Sequence, residues 1–152
     1  MNKFMSEALN EAYEGIKNHH GGPFGSVVVK DGEIIGRGHN CVLRNNDPTL
    51  HGEIQAIRDA CKNTGTHDLS GCELYTTAQP CPMCLGAILW AGIDKVYYGC
   101  NIDDTEKIGF RDEVFYKMLD SGNSGEKLVC IDRDECLKLF DDYDSREDKE
   151  LY

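Results

Sequence analysis

Hydrophobic and polar positions follow two different periods in the first third of the chain. Apolar side chains recur at helical spacing through about residues 3–18, which predicts a first helix. Apolar runs at residues 26–29 and 33–36 follow, and Asp31-Gly32 separates them. This pattern predicts a β-hairpin with a two-residue turn. Residues 43–48 are polar and end in Asp47-Pro48, which predicts a loop and a helix boundary.

The rest of the chain alternates helical and strand patterns. Helices are predicted over about residues 49–62, from Pro80 and Pro82 onward, as a short helix within 103–120, and over 134–142. Strands are predicted at residues 72–77, 95–98 and 127–131. Helices that alternate with strands indicate a layered α/β fold with a mixed sheet.

Two short motifs lie at predicted helix starts. His51-Gly52-Glu53 falls in the first turn of the second helix, and Pro80-Cys81-Pro82-Met83-Cys84 opens the third. Imidazole and thiolates are ligands that zinc prefers, and a catalytic zinc keeps one position open for water. His51, Cys81 and Cys84 are therefore the predicted ligands, and Glu53 the predicted proton shuttle. This pairing of motifs is typical of zinc-dependent nucleobase deaminases.

A structural zinc site is the main alternative to a catalytic one. Such a site normally has a fourth protein ligand, and the chain offers four further cysteines for it: Cys41, Cys61, Cys72 and Cys100. None of these belongs to a second closely spaced ligand pair, and a purely structural zinc has no use for Glu53 beside it. The pattern therefore favours catalysis.

A second candidate for metal binding is the pair His19-His20. No third ligand stands near this pair in the sequence, and a zinc site in proteins takes at least three protein ligands. The pair is therefore interpreted as part of a solvated loop.

Size, charge and cysteine content narrow the class of protein. The chain has 152 residues, enough for one domain with a core, and its formal net charge is −11. No basic run is visible, which argues against nucleic acid as a partner, because binding to a phosphate backbone needs clustered Lys and Arg. Eight scattered cysteines are interpreted as reduced thiols of a cytoplasmic protein, and no apolar run is long enough to span a membrane.

The chain resembles the cytidine deaminase-like superfamily over nearly its whole length, and within it most resembles the guanine deaminase branch. The segments that carry this resemblance are Gly21-Gly22-Pro23-Phe24-Gly25, Asn46-Asp47-Pro48-Thr49, the two zinc motifs with Leu85-Gly86-Ala87-Ile88, Gly109-Phe110-Arg111-Asp112 and Lys149-Glu150-Leu151-Tyr152. The zinc motifs are common to the superfamily, and the last two segments point to guanine deaminase.

The resemblance implies a three-layer α/β/α sandwich around a mixed five-stranded sheet, with one zinc per chain. It also implies a homodimer, in which a C-terminal segment of about residues 141–152 is swapped to complete the partner's site. In this resemblance Asn40 binds the base, Asp112 is a second catalytic acid near the leaving amine, and Tyr152 reaches the substrate.

Phe24 is a further candidate, since it would stack on the base. By residue type alone these positions have plainer interpretations: Asn40 as a turn residue, Asp112 as a solvated charge, Tyr152 as a frayed terminus and Phe24 as a core aromatic.

The predicted activity is hydrolytic removal of an exocyclic ring amine from a free nucleobase, guanine first. Two departures keep cytosine deamination open as an alternative. Several segments, among them residues 36–40 and 129–136, resemble fungal-type cytosine deaminase, and Ala78-Gln79 stands where the guanine branch more often has Cys-Glu. Deamination of adenosine in tRNA is a more distant alternative, and a zinc-stabilised binding domain is the alternative that is not an enzyme.

Overall fold

A computed structural model describes residues 1–122 and 127–152, which form two compact units, Met1–Tyr116 and Lys117–Tyr152. The first unit contains the following elements: α1 (Lys3–Lys17), β1 (Gly25–Lys30), β2 (Glu33–His39), α2 (Val42–Asn45), α3 (Gly52–Thr64), β3 (Cys72–Ala78), α4 (Pro82–Ala91), β4 (Lys95–Cys100), α5 (Ile102–Lys107) and the start of α6 (Asp112–Asp120). The second unit contains the rest of α6, and α7 (Arg133–Asp144).

The sheet of the first unit is mixed and runs in the order β2-β1-β3-β4. β1 pairs antiparallel with β2 and β3, whereas β3 pairs parallel with β4. The predicted hairpin is confirmed: Lys30 pairs with Glu33, and both turn residues, Asp31 and Gly32, have positive φ. Positive φ at both positions matches a turn whose twist follows that of the strands.

Helices cover both faces of this sheet, as the predicted layered α/β class requires. On one face α1 packs over Val27, Val29 and Tyr75. On the other face α3 and α4 enclose the larger core, which contains Val28, Ala56, Ala60, Leu74 and Ile88. β1 is thus apolar on both faces because both are buried.

Two glycines of β2 allow α3 to approach the sheet closely. A Cβ at Gly36 would lie 2.4 Å from the carbonyl oxygen of Ala56, and one at Gly38 would lie 2.4 Å from the Ala56 nitrogen. Any larger residue would push α3 outward. This close packing fixes where α3 begins, and therefore where His51 stands.

Four predictions about elements were wrong in detail. Residues 127–131 form no strand within the described parts of the chain, so the sheet has four strands, and Leu128, Val129 and Ile131 are largely exposed. An apolar run forms a strand only where a neighbouring strand offers a hydrogen-bonded ladder.

The other three differences are local. Residues predicted as the loop 43–48 include the short helix α2, and the segment 103–120 forms two helices rather than one. α3 begins at Gly52 rather than Thr49, so His51 lies just before it. Local capping and turn contacts decide such boundaries more than apolar periodicity does.

Two further observations concern membrane spans and disulfides. Among the residues that the structure describes, no helix is both long and apolar enough to cross a membrane. All eight cysteines are free thiols.

Candidate zinc active site

Two helix starts bring the predicted zinc ligands together. His51 is the residue before α3 and Cys81 the residue before α4, while Cys84 lies in the first turn of α4. Their ligand atoms all lie within 4.8 Å of one another. His51 Nδ1 and Cys81 Sγ are 3.6 Å apart, which is roughly the separation of a nitrogen and a sulfur bound to one tetrahedral zinc. The three side chains therefore fit a zinc ion.

The electrostatics of the two thiols also fit a cation. The hydrogen bond with Cys84 lowers the pKa of Cys81 to about 4, and the interaction with His51 adds to this effect. The same contact, followed by burial, raises the pKa of Cys84 above its usual range. Two buried sulfurs this close hold one negative charge readily and a second one only beside a cation. Zinc stabilises both thiolates.

Glu53 lies in the first turn of α3, where its side chain is 5% exposed. Its Oε2 accepts a hydrogen bond from the Cys84 thiol at 3.5 Å, which places the carboxylate beside the predicted ligands. Burial raises the pKa of Glu53. A carboxyl group with a raised pKa accepts and releases a proton more readily near neutral pH, which suits a proton shuttle.

A cavity of about 440 Å³ opens in front of these groups. Its lining includes His51, Glu53 and Cys81 together with Phe24, Asn40 and Asp112. The structure thus brings three of the four secondary candidates to one site. The fourth, Tyr152, belongs to the second unit, where its side chain is 85% exposed. Its place at the substrate stays a prediction.

Asn40 is buried at the end of β2 and held from both sides. Its backbone N–H donates to the carbonyl of Phe24 at 2.9 Å, and its Oδ1 accepts from the N–H of Val42 at 3.1 Å. Gly21 leaves room for this side chain, since a Cβ there would lie 2.0 Å from Asn40 Oδ1. The amide is therefore fixed before any ligand arrives.

Phe110 and Tyr116 are two residues of the site that the sequence did not single out. Phe110 lines the cavity and meets Phe24 edge to face, with ring centroids 4.8 Å apart. Tyr116 donates its hydroxyl to the Pro80 carbonyl at 2.6 Å and so ties α6 to the cysteine motif. Phe110 lies in one of the segments that carried the resemblance. No sequence pattern predicts the hydrogen bond between Tyr116 and Pro80.

Asp112 begins α6 and is partly buried at the cavity. Desolvation raises the pKa of its carboxyl group, and the nearby Cys81 sulfur adds to this effect. A cluster of two thiolates, an imidazole and a buried carboxylate beside a cavity is typical of a catalytic zinc site that activates water. Fold and site together define a zinc-dependent hydrolase.

Comparison with known proteins shows which family of zinc hydrolases the chain belongs to. The family model described as the cytidine and deoxycytidylate deaminase zinc-binding region matches residues 1–100. The chain therefore belongs to that deaminase family, and it is a zinc hydrolase that acts on C–N bonds. The predicted family, enzyme class and zinc cofactor are confirmed.

The individual relatives are named as deaminases of different substrates. A guanine deaminase of Bacillus subtilis (strain 168) is 50% identical over 117 residues, which cover 77% of this chain and 75% of the relative. A tRNA-specific adenosine deaminase of Aquifex aeolicus (strain VF5) is 43% identical over 95 residues, 62% of each chain. The crystal structure of guanine deaminase from Bacillus subtilis superposes with a TM-score of 0.90 at 42% identity, covering 100% of this chain and 99% of that one.

Proposed function

We propose that this protein deaminates guanine, so that guanine and water give xanthine and ammonia. The observation that carries the proposal is Asp112 in the cavity wall, in the same lining as Glu53 and the zinc ligands His51 and Cys81. The B. subtilis guanine deaminase structure supports it, because that likeness extends over the whole chain, including α6 and the C-terminal unit.

Asp112 favours guanine by the chemistry of hydrogen bonding. An ionised carboxylate only accepts hydrogen bonds. The amine that leaves guanine is flanked by a ring N–H donor, whereas the amines of cytosine and adenine are flanked by a ring nitrogen acceptor and a carbon. Asp112 would pair with both the amine and the ring N–H of guanine. Leaving a buried polar group unpaired costs about 1–3 kcal/mol, which gives the site a means of discrimination.

Each further residue has a proposed role in the same reaction. Zinc held by His51, Cys81 and Cys84 supplies Lewis-acid activation of water. Glu53 would take a proton from the attacking water as the water oxygen bonds to the amine-bearing carbon, and would pass that proton to the adjacent ring nitrogen. A second proton, from the new hydroxyl group, would then go through Glu53 to the amine as the C–N bond breaks and ammonia leaves. The backbone N–H of Cys81, just before α4, would donate a hydrogen bond to the oxygen that attacks the ring carbon, as negative charge develops on that oxygen.

Asn40 and Phe24 orient the base in this proposal. The amide of Asn40 can both donate and accept, so it suits the polar edge of a purine. Phe24 presents an aromatic surface on which a flat base stacks, and its edge-to-face contact with Phe110 fixes the ring.

We also propose a cytoplasmic homodimer in which about residues 141–152 complete the partner's site. α4 exposes Leu89 and Trp90, which are 71% and 72% exposed, and large apolar side chains grouped on a surface are typical of an interface. The free state of all eight cysteines suits a reducing compartment. In this proposal Tyr152 of the swapped segment would lie over the base and exclude water.

Steady-state kinetics on a panel of guanine, cytosine, adenine, cytidine and tRNA test the substrate. We expect guanine to be turned over fastest, and Asp112→Ala to reduce guanine turnover at least 10-fold while the zinc content stays at one per chain. Asp103→Ala is the matched control, because Asp103 is an exposed carboxylate in the first turn of α5. Faster turnover of cytosine, with no dependence on Asp112, would replace guanine deamination by cytosine deamination.

Deleting residues 149–152 tests the C-terminal role separately. We expect a folded, zinc-loaded dimer, shown by sedimentation and metal analysis, with severely reduced guanine turnover. Tyr152→Phe, which keeps the ring, should retain most of the activity. Full activity of the truncated protein would rule out a part for the tail in the site.

A further inference from the structure

A second group of metal-binding side chains lies on either side of Asn40, outside the cavity lining described above. His39 and Cys41 flank Asn40 in the chain, and His20 lies in the loop after α1. The ligand atoms of His20, His39 and Cys41 lie within 4.8 Å of one another, the same limit that those of the catalytic group meet. His39 and Cys41 also line a separate cavity of about 540 Å³.

Glu11 of α1 orients this group. Its Oε2 lies 3.0 Å from His39 Nδ1, which fixes the proton of a neutral His39 on Nδ1. Nε2 of His39 then carries a lone pair and faces Nδ1 of His20 at 2.8 Å. A carboxylate behind a histidine in this way is the usual outer partner of a metal-bound imidazole.

Little movement separates this arrangement from metal coordination. The two histidine nitrogens would move apart from 2.8 Å to roughly 3.3 Å, the separation of two nitrogens on a tetrahedral zinc. His20 is partly exposed, so its side chain has room to shift. On binding, the His20 proton moves from Nδ1 to Nε2, and the Cys41 thiol releases one proton.

We propose that His20, His39 and Cys41 form a second metal site, which binds a zinc-class divalent ion with Glu11 as its outer partner. Two imidazoles and one thiolate are a donor set that suits Zn²⁺ and Co²⁺. The site differs from the catalytic one in having two nitrogens and one sulfur rather than one nitrogen and two sulfurs.

The site joins two parts of the wall of the catalytic cavity. The carbonyl of His20 accepts hydrogen bonds from the N–H groups of Leu43 and Arg44, each at 3.0 Å. Gly21 and Gly22 follow His20 and line the cavity, as do Asn40 and Val42 on either side of Cys41. A metal ion here would clamp these segments together and hold Asn40 in place.

The surroundings set the expected affinity. The neighbouring cavity is lined by four basic residues, Arg37, Arg44, Arg58 and Lys62, and by two acidic ones, Glu11 and Asp59. The excess of positive charge disfavours a divalent cation and favours an anion as its fourth ligand. We therefore expect weaker binding than at the catalytic site.

Titration of Co²⁺ into the zinc-loaded protein tests the proposal. Zinc at the catalytic site is spectroscopically silent, so a cobalt–thiolate band reports only the second site. We expect one Co²⁺ per chain with such a band, which added Zn²⁺ abolishes. His20→Asn, His39→Gln and Cys41→Ser should each remove the band, and Glu11→Gln should weaken binding about 10- to 100-fold. One retained zinc per chain by metal analysis confirms that each variant is folded and that its catalytic metal has not exchanged.

His19→Asn is the matched control. His19 is the exposed neighbour of His20 with a φ of 58°, and asparagine tolerates that conformation, so the band should persist. Absence of a band in the parent, or an unchanged band in Cys41→Ser, overturns the second site. Neither readout depends on guanine turnover, so the two proposals fail independently.

Discussion

Glu53 is the residue whose surroundings are most specific to catalysis. It is buried next to Cys84 although a buried carboxylate without a cation is costly. Its burial raises its pKa and so brings the carboxylate closer to the pH at which it must exchange protons.

We expect Glu53→Gln to keep the fold and one zinc per chain but to lose about 10²- to 10⁴-fold in kcat, because the amide cannot accept the proton. Steady-state assay of ammonia release with metal analysis checks this prediction. Glu33→Gln is the control, since Glu33 is exposed in the hairpin. Turnover close to that of the parent would mean that another group moves the proton.

Gly21 acts on the site through the space that it leaves for Asn40. Gly21→Ala should displace the Asn40 amide and reduce kcat/KM roughly 10-fold or more, the loss expected for a misplaced buried hydrogen bond. Lys17→Ala is the control, because Lys17 is exposed in the last turn of α1, away from the cavity. That control should keep the activity of the parent. Kinetics and chemical denaturation of both variants separate a loss of activity from a loss of stability, and equal activity would argue against Gly21 as a constraint on Asn40.

At the scale of elements, the site depends on where three helices begin. The zinc ligands lie just before α3 and α4 or in the first turn of α4, and Asp112 is the first residue of α6. Helix starts carry unpaired N–H groups and a partial positive charge, which stabilise thiolates and developing negative charge. The chemistry therefore requires that the ends of these helices, rather than their middles, meet.

The hydrogen bond between Tyr116 and the Pro80 carbonyl holds α6 against the start of α4. Tyr116→Phe should lower the free energy of unfolding by about 0.5–1.5 kcal/mol. It should also lower the activity, since the start of α6 carries Asp112. Tyr13→Phe, at a largely exposed position, should change neither quantity. Urea denaturation and guanine kinetics check both effects, and a stable variant with reduced activity would show that the bond serves positioning alone.

At the scale of the whole molecule, the net charge of −11 bears on the choice between a free base and tRNA. Several relatives are tRNA-specific adenosine deaminases, and the zinc motifs are compatible with either substrate. Binding to a phosphate backbone requires many cationic contacts, and acidic proteins repel a polyanion.

We therefore expect no inosine to form in tRNA incubated with this protein, and no tRNA binding at physiological salt. A filter-binding assay and nucleoside analysis of the treated tRNA measure these outcomes. The Aquifex aeolicus enzyme is the positive control for the assay. Inosine in the anticodon loop would overturn the assignment to a free base.

The sequence by itself determined the zinc motifs, the α/β class and most of the elements of the first unit. These features are local: ligands two or three residues apart at helix starts, a two-residue turn between apolar runs, and helical periodicity. The same local reasoning was wrong for residues 127–131, because a strand needs a ladder partner that an apolar run does not specify.

Only the tertiary structure decided which distant residues meet. Asn40, Phe24 and Asp112 come to one cavity because the sheet and α6 carry them there, and the cavity also gathers Phe110, which the sequence did not single out. His20 has no ligand near it in the sequence, yet the packing of α1 beside β2 brings it to His39 and Cys41. Such contacts depend on how elements that are distant in the sequence pack together, which the hydrophobic pattern of a chain does not encode.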